Sequence, residues 1–261
     1  MKLYHTGSSY YSMIARLALA EKGMQYVSRP VDIHAAMEQL SPDFARMNPS
    51  MTVPVLALDE RHLCGSDSIL RGLDELAPTP RFFPEAEDAR VRTEEWMTLH
   101  YALQIDEYTF SHLARRIPPM RWLMPGKLKR MRATIAERAD IHPELADAYR
   151  AKVELTDFRI AHLFKPQTWK QTEKAIQDYL DRMSTSLEEA GPWLLGADYS
   201  AADVLGTVLL SRVCMAMRKR EIRARPIVAR YWERVRARPS FEAADIWTRL
   251  RPRTAIHILR G

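Results

Sequence analysis

Residues 1–23 narrow the fold more than any other stretch. Leu3 and Tyr4 fit a short buried strand, and His5-Thr6-Gly7-Ser8-Ser9-Tyr10-Tyr11-Ser12 is a turn rich in small and hydroxyl side chains. Ile14, Leu17 and Ala18 then recur at helical spacing, and Glu21-Lys22-Gly23 puts a glycine where a helix exits through the left-handed region. The stretch reads as strand, polar loop, helix. Such a loop presents hydroxyls and unpaired backbone N–H groups at the positive end of a helix, where an anion or a thiolate is stabilised. Ser9 or Ser12 would serve equally well as a plain helix cap, so the opening alone does not decide between an active site and a structural turn.

The chain that follows supplies more of the same pattern. Tyr26-Val27-Ser28 reads as a strand ended by Pro30, and residues 35–40 are helical in composition. Ser41-Pro42 places a cap before a proline at a helix start, and Asn48-Pro49 ends that helix. Residues 53–58 and 63–64 form a hairpin around the polar turn 59–62, with Pro54 at its entrance, where a residue without an N–H is tolerated. Ser66 then reads as the cap of a helix carrying Ile69, Leu70 and Leu73, and its free N–H groups make a second anion site.

Three prolines in residues 78–84 mark a linker, so the expected organisation is an α/β unit over 1–77 and an all-helical unit over 85–261. In the second unit Trp96, Leu99, Leu103 and Phe110 follow one stripe of a long helix that Pro118-Pro119 ends. A basic helical insertion fills residues 117–165. Ser200 and Asp203 fit a capping box, with Tyr199 and Val204 as its hydrophobic staple, and Val228, Tyr231, Trp232 and Val235 give a further amphipathic helix.

Composition sets bounds. A chain of 261 residues, 46% of them apolar, can bury a full core. No stretch is long and apolar enough to cross a bilayer, and the start resembles no secretory leader, so a cytoplasmic protein is expected. Cys64 and Cys214 lie in apolar segments and read as small core residues, not as a disulfide or nucleophiles. The formal charge of +6 is concentrated in residues 218–220 and 249–253; without interleaved aromatics or a recognisable motif it reads as a solvated basic face, not a nucleic-acid surface. Membrane attachment through residues 249–261 rests on Ile256, Ile258 and Leu259 alone. The eight histidines are scattered singly, and no metal-ligand spacing, phosphate-binding glycine loop or serine hydrolase elbow is present.

Taken in order, Leu3-Tyr4-His5, the loop 9–12, Arg16-Leu17-Ala18-Leu19, Arg46-Met47-Asn48-Pro49, Val53-Pro54-Val55-Leu56, Ser66, Tyr199 to Asp203 and Arg238-Pro239-Ser240-Phe241 resemble the glutathione transferase superfamily, most of all its tetrachlorohydroquinone-dehalogenase-like class. The resemblance implies a thioredoxin-like, glutathione-binding domain followed by a helical domain that completes an electrophile pocket. It implies glutathione as co-substrate, no metal, a homodimer, a role in detoxification and a small hydrophobic, aromatic electrophile. Carried over by position, Ser9 would hydrogen-bond the glutathione sulfur, with Ser12 as the alternate. Val53 before a cis Pro54 would pair with the cysteinyl backbone, and Ser66 would hold the γ-glutamyl carboxylate.

Two positions depart from the family pattern. Gly65 stands where relatives keep Glu, Gln or Asp, which leaves Asp67 as the substitute carboxylate, and Tyr11 stands where reductive dehalogenases keep a cysteine. The second departure disfavours thiol-exchange dehalogenation and leaves thioether-forming conjugation or cleavage of a halide or ether. Tyr10, Tyr11, Tyr101 and Tyr108 are the candidates for the electrophile pocket. The alternative is a protein of this fold that has lost catalysis and serves as a ligand-binding or interaction module.

Overall fold

A computed structural model describes residues 1–254; Ile256, Ile258 and Leu259 of the proposed tail lie outside the described residues. The chain begins with β1 (Lys2–His5), α1 (Tyr10–Glu21) and β2 (Val27–Pro30), continues through α2 (Pro42–Met47), and closes its first unit with β3 (Val55–Ala57), β4 (His62–Cys64) and α3 (Ser66–Leu76). The sheet runs in the order β2-β1-β3-β4, with β1 parallel to β2 and antiparallel to β3. This is the thioredoxin-like arrangement, and among the described residues no further strand follows β4, only helices and one isolated bridge between Trp193 and Gly196.

Register explains how three distant segments meet. Tyr4 pairs with Val55, and Val55 pairs with Cys64. The loop after β1, the residues before β3 and the start of α3 therefore emerge at one end of the sheet. The Gly65 N–H donates to the Pro54 carbonyl at 2.9 Å and ties the last two together.

The second unit holds α4 (Glu87–Tyr101), α5 (Ile105–Arg116), α6 (Pro119–Ile141), α7 (Ala146–His162), α8 (Pro166–Ala190), α9 (Ala201–Met215), α10 (Lys219–Arg223), α11 (Pro226–Arg236) and α12 (Pro239–Ala243). The single long helix expected over the stripe from Trp96 to Phe110 is two: residues 102–104 interrupt it, although Trp96 and Leu103 are both buried. The helix expected over 35–40 shrinks to one 3-10 turn at Glu38–Leu40, because Met37 sits in the left-handed region at φ +51°, through which a right-handed helix cannot run. The Asp32 carboxylate accepts from the His34, Ala35 and Ala36 amides just before that break.

The insertion folds as a helical hairpin, α6 against α7, and lies over the first unit. Ile135 and Tyr149 pack with Met37, Leu40, Ala45 and Met51, while the Tyr149 hydroxyl donates to the Leu40 carbonyl at 2.9 Å. Central in the core is α9, all of whose residues are buried. Its capping box forms as expected, and the buried Asp203 carboxylate also accepts from the Leu194 amide and the Tyr231 hydroxyl. Two sequence motifs meet here as well: the Arg238 guanidinium makes a two-pronged pair with Glu21 at 2.6–2.7 Å, and Ser240 donates to the same carboxylate. Part of the basic surface is not simply solvated, since Arg218 pairs with Glu173 at 2.7 Å and with Glu221. Among the described residues no helix is long and apolar enough to cross a membrane.

The two units are pinned by His100, wholly buried between the hydroxyls of Tyr10 at 2.9 Å and Tyr179 at 3.3 Å. Burial lowers its pKa from 6.5 to about 3. The folded protein therefore keeps His100 neutral while the unfolded chain takes up a proton below about pH 6.5, so stability falls as pH drops from there towards 3. Replacing His100 by Gln is expected to flatten the unfolding free energy against pH between 6 and 4 by roughly 1.4 kcal/mol per unit. Urea titrations at several pH values provide the check; an unchanged slope would contradict this reading of His100.

Candidate active site

The loop between β1 and α1 is held from behind by two buried guanidiniums. Arg16 donates to the carbonyls of Thr6 at 3.3 Å and Gly7 at 3.2 Å, and through its remaining N–H groups to Ala244 and Asp245. Arg212 donates to the Ser8 carbonyl at 3.0 Å and lies over the Tyr10 ring. The Ser9 amide donates back to the Thr6 carbonyl at 3.1 Å and closes the turn. Gly7 is required by crowding, because a Cβ there would come within 2.8 Å of the Trp247 ring.

Ser9 caps α1. Its Oγ accepts from the Ser12 amide at 3.3 Å, so the cap uses a lone pair and leaves the hydroxyl proton free to donate. The helix start also leaves the Tyr10 and Tyr11 amides without intrahelical acceptors. Ser12 faces inward: it has no exposed surface, and its Oγ accepts from the Thr6 amide. That removes it as an alternate for the sulfur contact and makes it part of the loop's internal stitching.

In front of Ser9 lies a cleft of about 240 Å³ whose walls include Ser8, Ser9, Tyr10, Tyr11, His34, Thr52 and Val53 from the first unit. The opposite wall comes from the hairpin and α5, with Asp106, Phe110, Lys127, Leu128, Lys152, Leu155 and Arg159, and from Arg212. The Val53–Pro54 peptide is cis, as the resemblance implies. Lys152 reaches from the hairpin to the carbonyls of Ser50 at 2.8 Å and Met51 at 3.2 Å, just before that corner; burial lowers its pKa to about 8. Four cationic side chains and a histidine face one carboxylate, Asp106, which is paired with Arg159. The hairpin residues were not legible as site residues, because nothing in their spacing says that they fold back over the first unit.

A second cavity, of about 230 Å³, adjoins the first and shares Tyr11, Asp106, Phe110, Met124, Leu128, Leu155 and Arg159 with it. Leu103, Ile105, Phe158 and Leu163 give it an apolar wall. Of the four tyrosines named from sequence, Tyr11 lines both cavities and Tyr10, almost wholly buried, edges the first. Tyr108 is core, its hydroxyl directed to Glu221, and Tyr101 is turned to Ser66. Neither lines either of these two cavities, and each directs its hydroxyl to a partner inside the protein.

Ser66 is the first residue of α3, not its cap. Gly65 occupies the cap position at φ +87°, a conformation that glycine adopts at less cost than any residue with a side chain. Ser66 is 3% exposed and its Oγ lies 2.8 Å from the Tyr101 hydroxyl. Asp67 is partly exposed and accepts from Arg71, which also pairs with Glu94. The sheet brings Ser66 to the same end as Ser9 and Val53, but outside the wall of the cleft itself.

Family models match both units: the glutathione S-transferase N-terminal domain over residues 8–76 and the C-terminal domain over 158–243. Among curated proteins, the chain is 32% identical over 245 residues to glutathione S-transferase TCHQD of Arabidopsis thaliana, covering 93% of this chain and 88% of that one. It is 29% identical over 246 residues to tetrachloro-p-hydroquinone reductive dehalogenase of Sphingobium chlorophenolicum, covering 94% and 96%. Glutathione transferase F7 of Populus trichocarpa shares the fold, with a TM-score of 0.67 at 17% identity over 98% of each chain. A glutathione S-transferase of Methylobacterium radiotolerans in complex with glutathione sulfonate does so with a TM-score of 0.62 at 17% identity over 96% of each. The serine-capped opening helix, the cis-proline corner and these matches along nearly the whole chain lead to one conclusion: the chain belongs to the glutathione S-transferase family.

Proposed function

We propose that the protein is a glutathione transferase in which Ser9 stabilises the glutathione thiolate for attack on a hydrophobic, aromatic electrophile, forming a thioether with loss of halide or aryloxide. The observation that carries this reading is the single cleft shared by the Ser9 hydroxyl, the Val53 corner and an adjoining apolar cavity. Ser9 donates the hydroxyl proton that its cap leaves free, and the positive end of α1 adds to the effect. Both lower a thiol pKa that starts at about 8.5, so that more thiolate exists at neutral pH. The Val53 backbone pairs with the cysteinyl part of the tripeptide. Amides at the start of α3, with Ser66, receive its γ-glutamyl carboxylate.

Charge supports the same assignment. Glutathione is a net anion, and the cleft is lined by Lys127, Lys152, Arg159 and Arg212 against Asp106. The apolar neighbouring cavity, with Phe110 and Phe158 in its wall, suits an aromatic acceptor.

Ser9→Ala is expected to raise the pKa of the bound thiol towards about 8.5 and to lower kcat/KM about 100-fold. Ultraviolet titration of the thiolate in the binary complex, with thioether formation from an aryl halide, gives both readings; intact turnover would contradict the role of Ser9.

Lys152→Met removes a buried ammonium from two carbonyls beside the Val53 corner. Its expected cost is about 1–3 kcal/mol in unfolding free energy and about 10-fold in glutathione affinity, measured by denaturant titration and calorimetry. Unchanged affinity would show that the hairpin does not shape that corner.

A further inference from the structure

Of the four tyrosines named from the sequence, three have committed their hydroxyls: Tyr10 to His100, Tyr101 to Ser66 and Tyr108 to Glu221. Tyr11 has not. Among the described residues its hydroxyl has no hydrogen-bond partner, while its ring is fixed by stacking on Tyr101 at 6.2 Å and by edge contact with Tyr10 at 5.3 Å. Tyr11 is also on the boundary between the two cavities and lines both. A half-buried donor without a protein partner, held by its ring where two ligand spaces meet, is free to donate to an acceptor that a ligand brings in place of water.

Resting on the transferase reading above, we infer that Tyr11 is a catalytic residue whose phenolic O–H donates a hydrogen bond to the departing atom of the electrophile. In the step it assists, the sulfur's electron pair forms the C–S bond, the C–O bond of an aryl ether breaks, and the oxygen leaves with that bond's electrons as an aryloxide. The aryloxide takes a proton from solvent, matching the one the thiol released there when the thiolate formed. Tyr11 keeps its own proton. Burial, with Asp106 adding to the rise, pushes its pKa up to about 12, so it is a weaker acid than an ordinary phenol at about 10. The contribution is thus a hydrogen bond to developing charge, and it is largest for the least stable leaving anion.

The test uses Tyr11→Phe, which keeps the ring, in the full chain. The substrates are phenacyl aryl ethers whose leaving phenols run from 4-nitrophenol to 4-methylphenol. The variant is expected to lose roughly 10- to 100-fold in kcat/KM on the methylphenol ether but no more than about 3-fold on the nitrophenol ether. Binding of 4-nitrophenolate to the glutathione-loaded protein, followed by its absorption shift, should weaken roughly 5- to 10-fold. The thiolate titration should remain as in the unsubstituted protein. Equal loss across the series, unchanged phenolate binding or a shifted thiolate titration would each overturn the role of Tyr11. If the unsubstituted protein turns over none of the ethers and no aryl halide, it is the transferase reading that fails; normal turnover with a flat response to Tyr11→Phe fails this inference alone.

Discussion

The site depends on where three backbone carbonyls point. Arg16 and Arg212, both buried, take up the carbonyls of Thr6, Gly7 and Ser8, and the Ser9 amide closes the loop on the Thr6 carbonyl, which leaves the Tyr10 and Tyr11 amides at the start of α1. Burying two guanidiniums is costly unless each is well hydrogen-bonded. Arg16 meets that condition with four carbonyls, two in the loop and two at Ala244 and Asp245. The loop geometry and the docking of the chain after α12 are therefore one cooperative arrangement, in which the positive end of α1 stays available to an anion.

The hairpin of α6 and α7 extends this logic to the other side of the cleft. It covers the first unit with a small apolar contact around Tyr149 and sends Lys152 to the carbonyls that precede the cis-proline corner. The same hairpin supplies Leu128, Leu155 and Arg159 to the walls of both cavities. One insertion thus contributes to the walls of both cavities.

Sequence made the architecture legible because its signals are local. A proline at a helix start, a serine with a carboxylate three residues on, and a β-branched run beginning at Val53 each describe their own few residues, and α2, the capping box of α9 and the hairpin β3-β4 formed as read. Ser9 was legible for the same reason: a cap is a local device. Ser12 was misjudged because one helical turn from Ser9 is also the turn that faces the core. Tyr101 and Tyr108 went astray because their hydroxyls meet Ser66 and Glu221, partners 35 and 113 residues away that local spacing does not announce. The cationic wall was invisible for a longer-range reason, since it depends on where α6 and α7 dock. Gly65 adds a backbone case: the cap of α3 lies at φ +87°, which suits a glycine and which local sequence does not announce.

The central claim is that the two arginines aim the start of α1, and Ser9 with it, at the sulfur of a tripeptide gripped by the Val53 corner and the start of α3. A crystal structure of the protein with glutathione bound tests it most directly. The account predicts the sulfur within hydrogen-bonding distance of Ser9 Oγ, the cysteinyl amide paired with the Val53 backbone, and the Thr6, Gly7 and Ser8 carbonyls still turned to Arg16 and Arg212. A tripeptide whose sulfur lies away from Ser9, or one bound outside the cleft between the first unit and the hairpin, would contradict it.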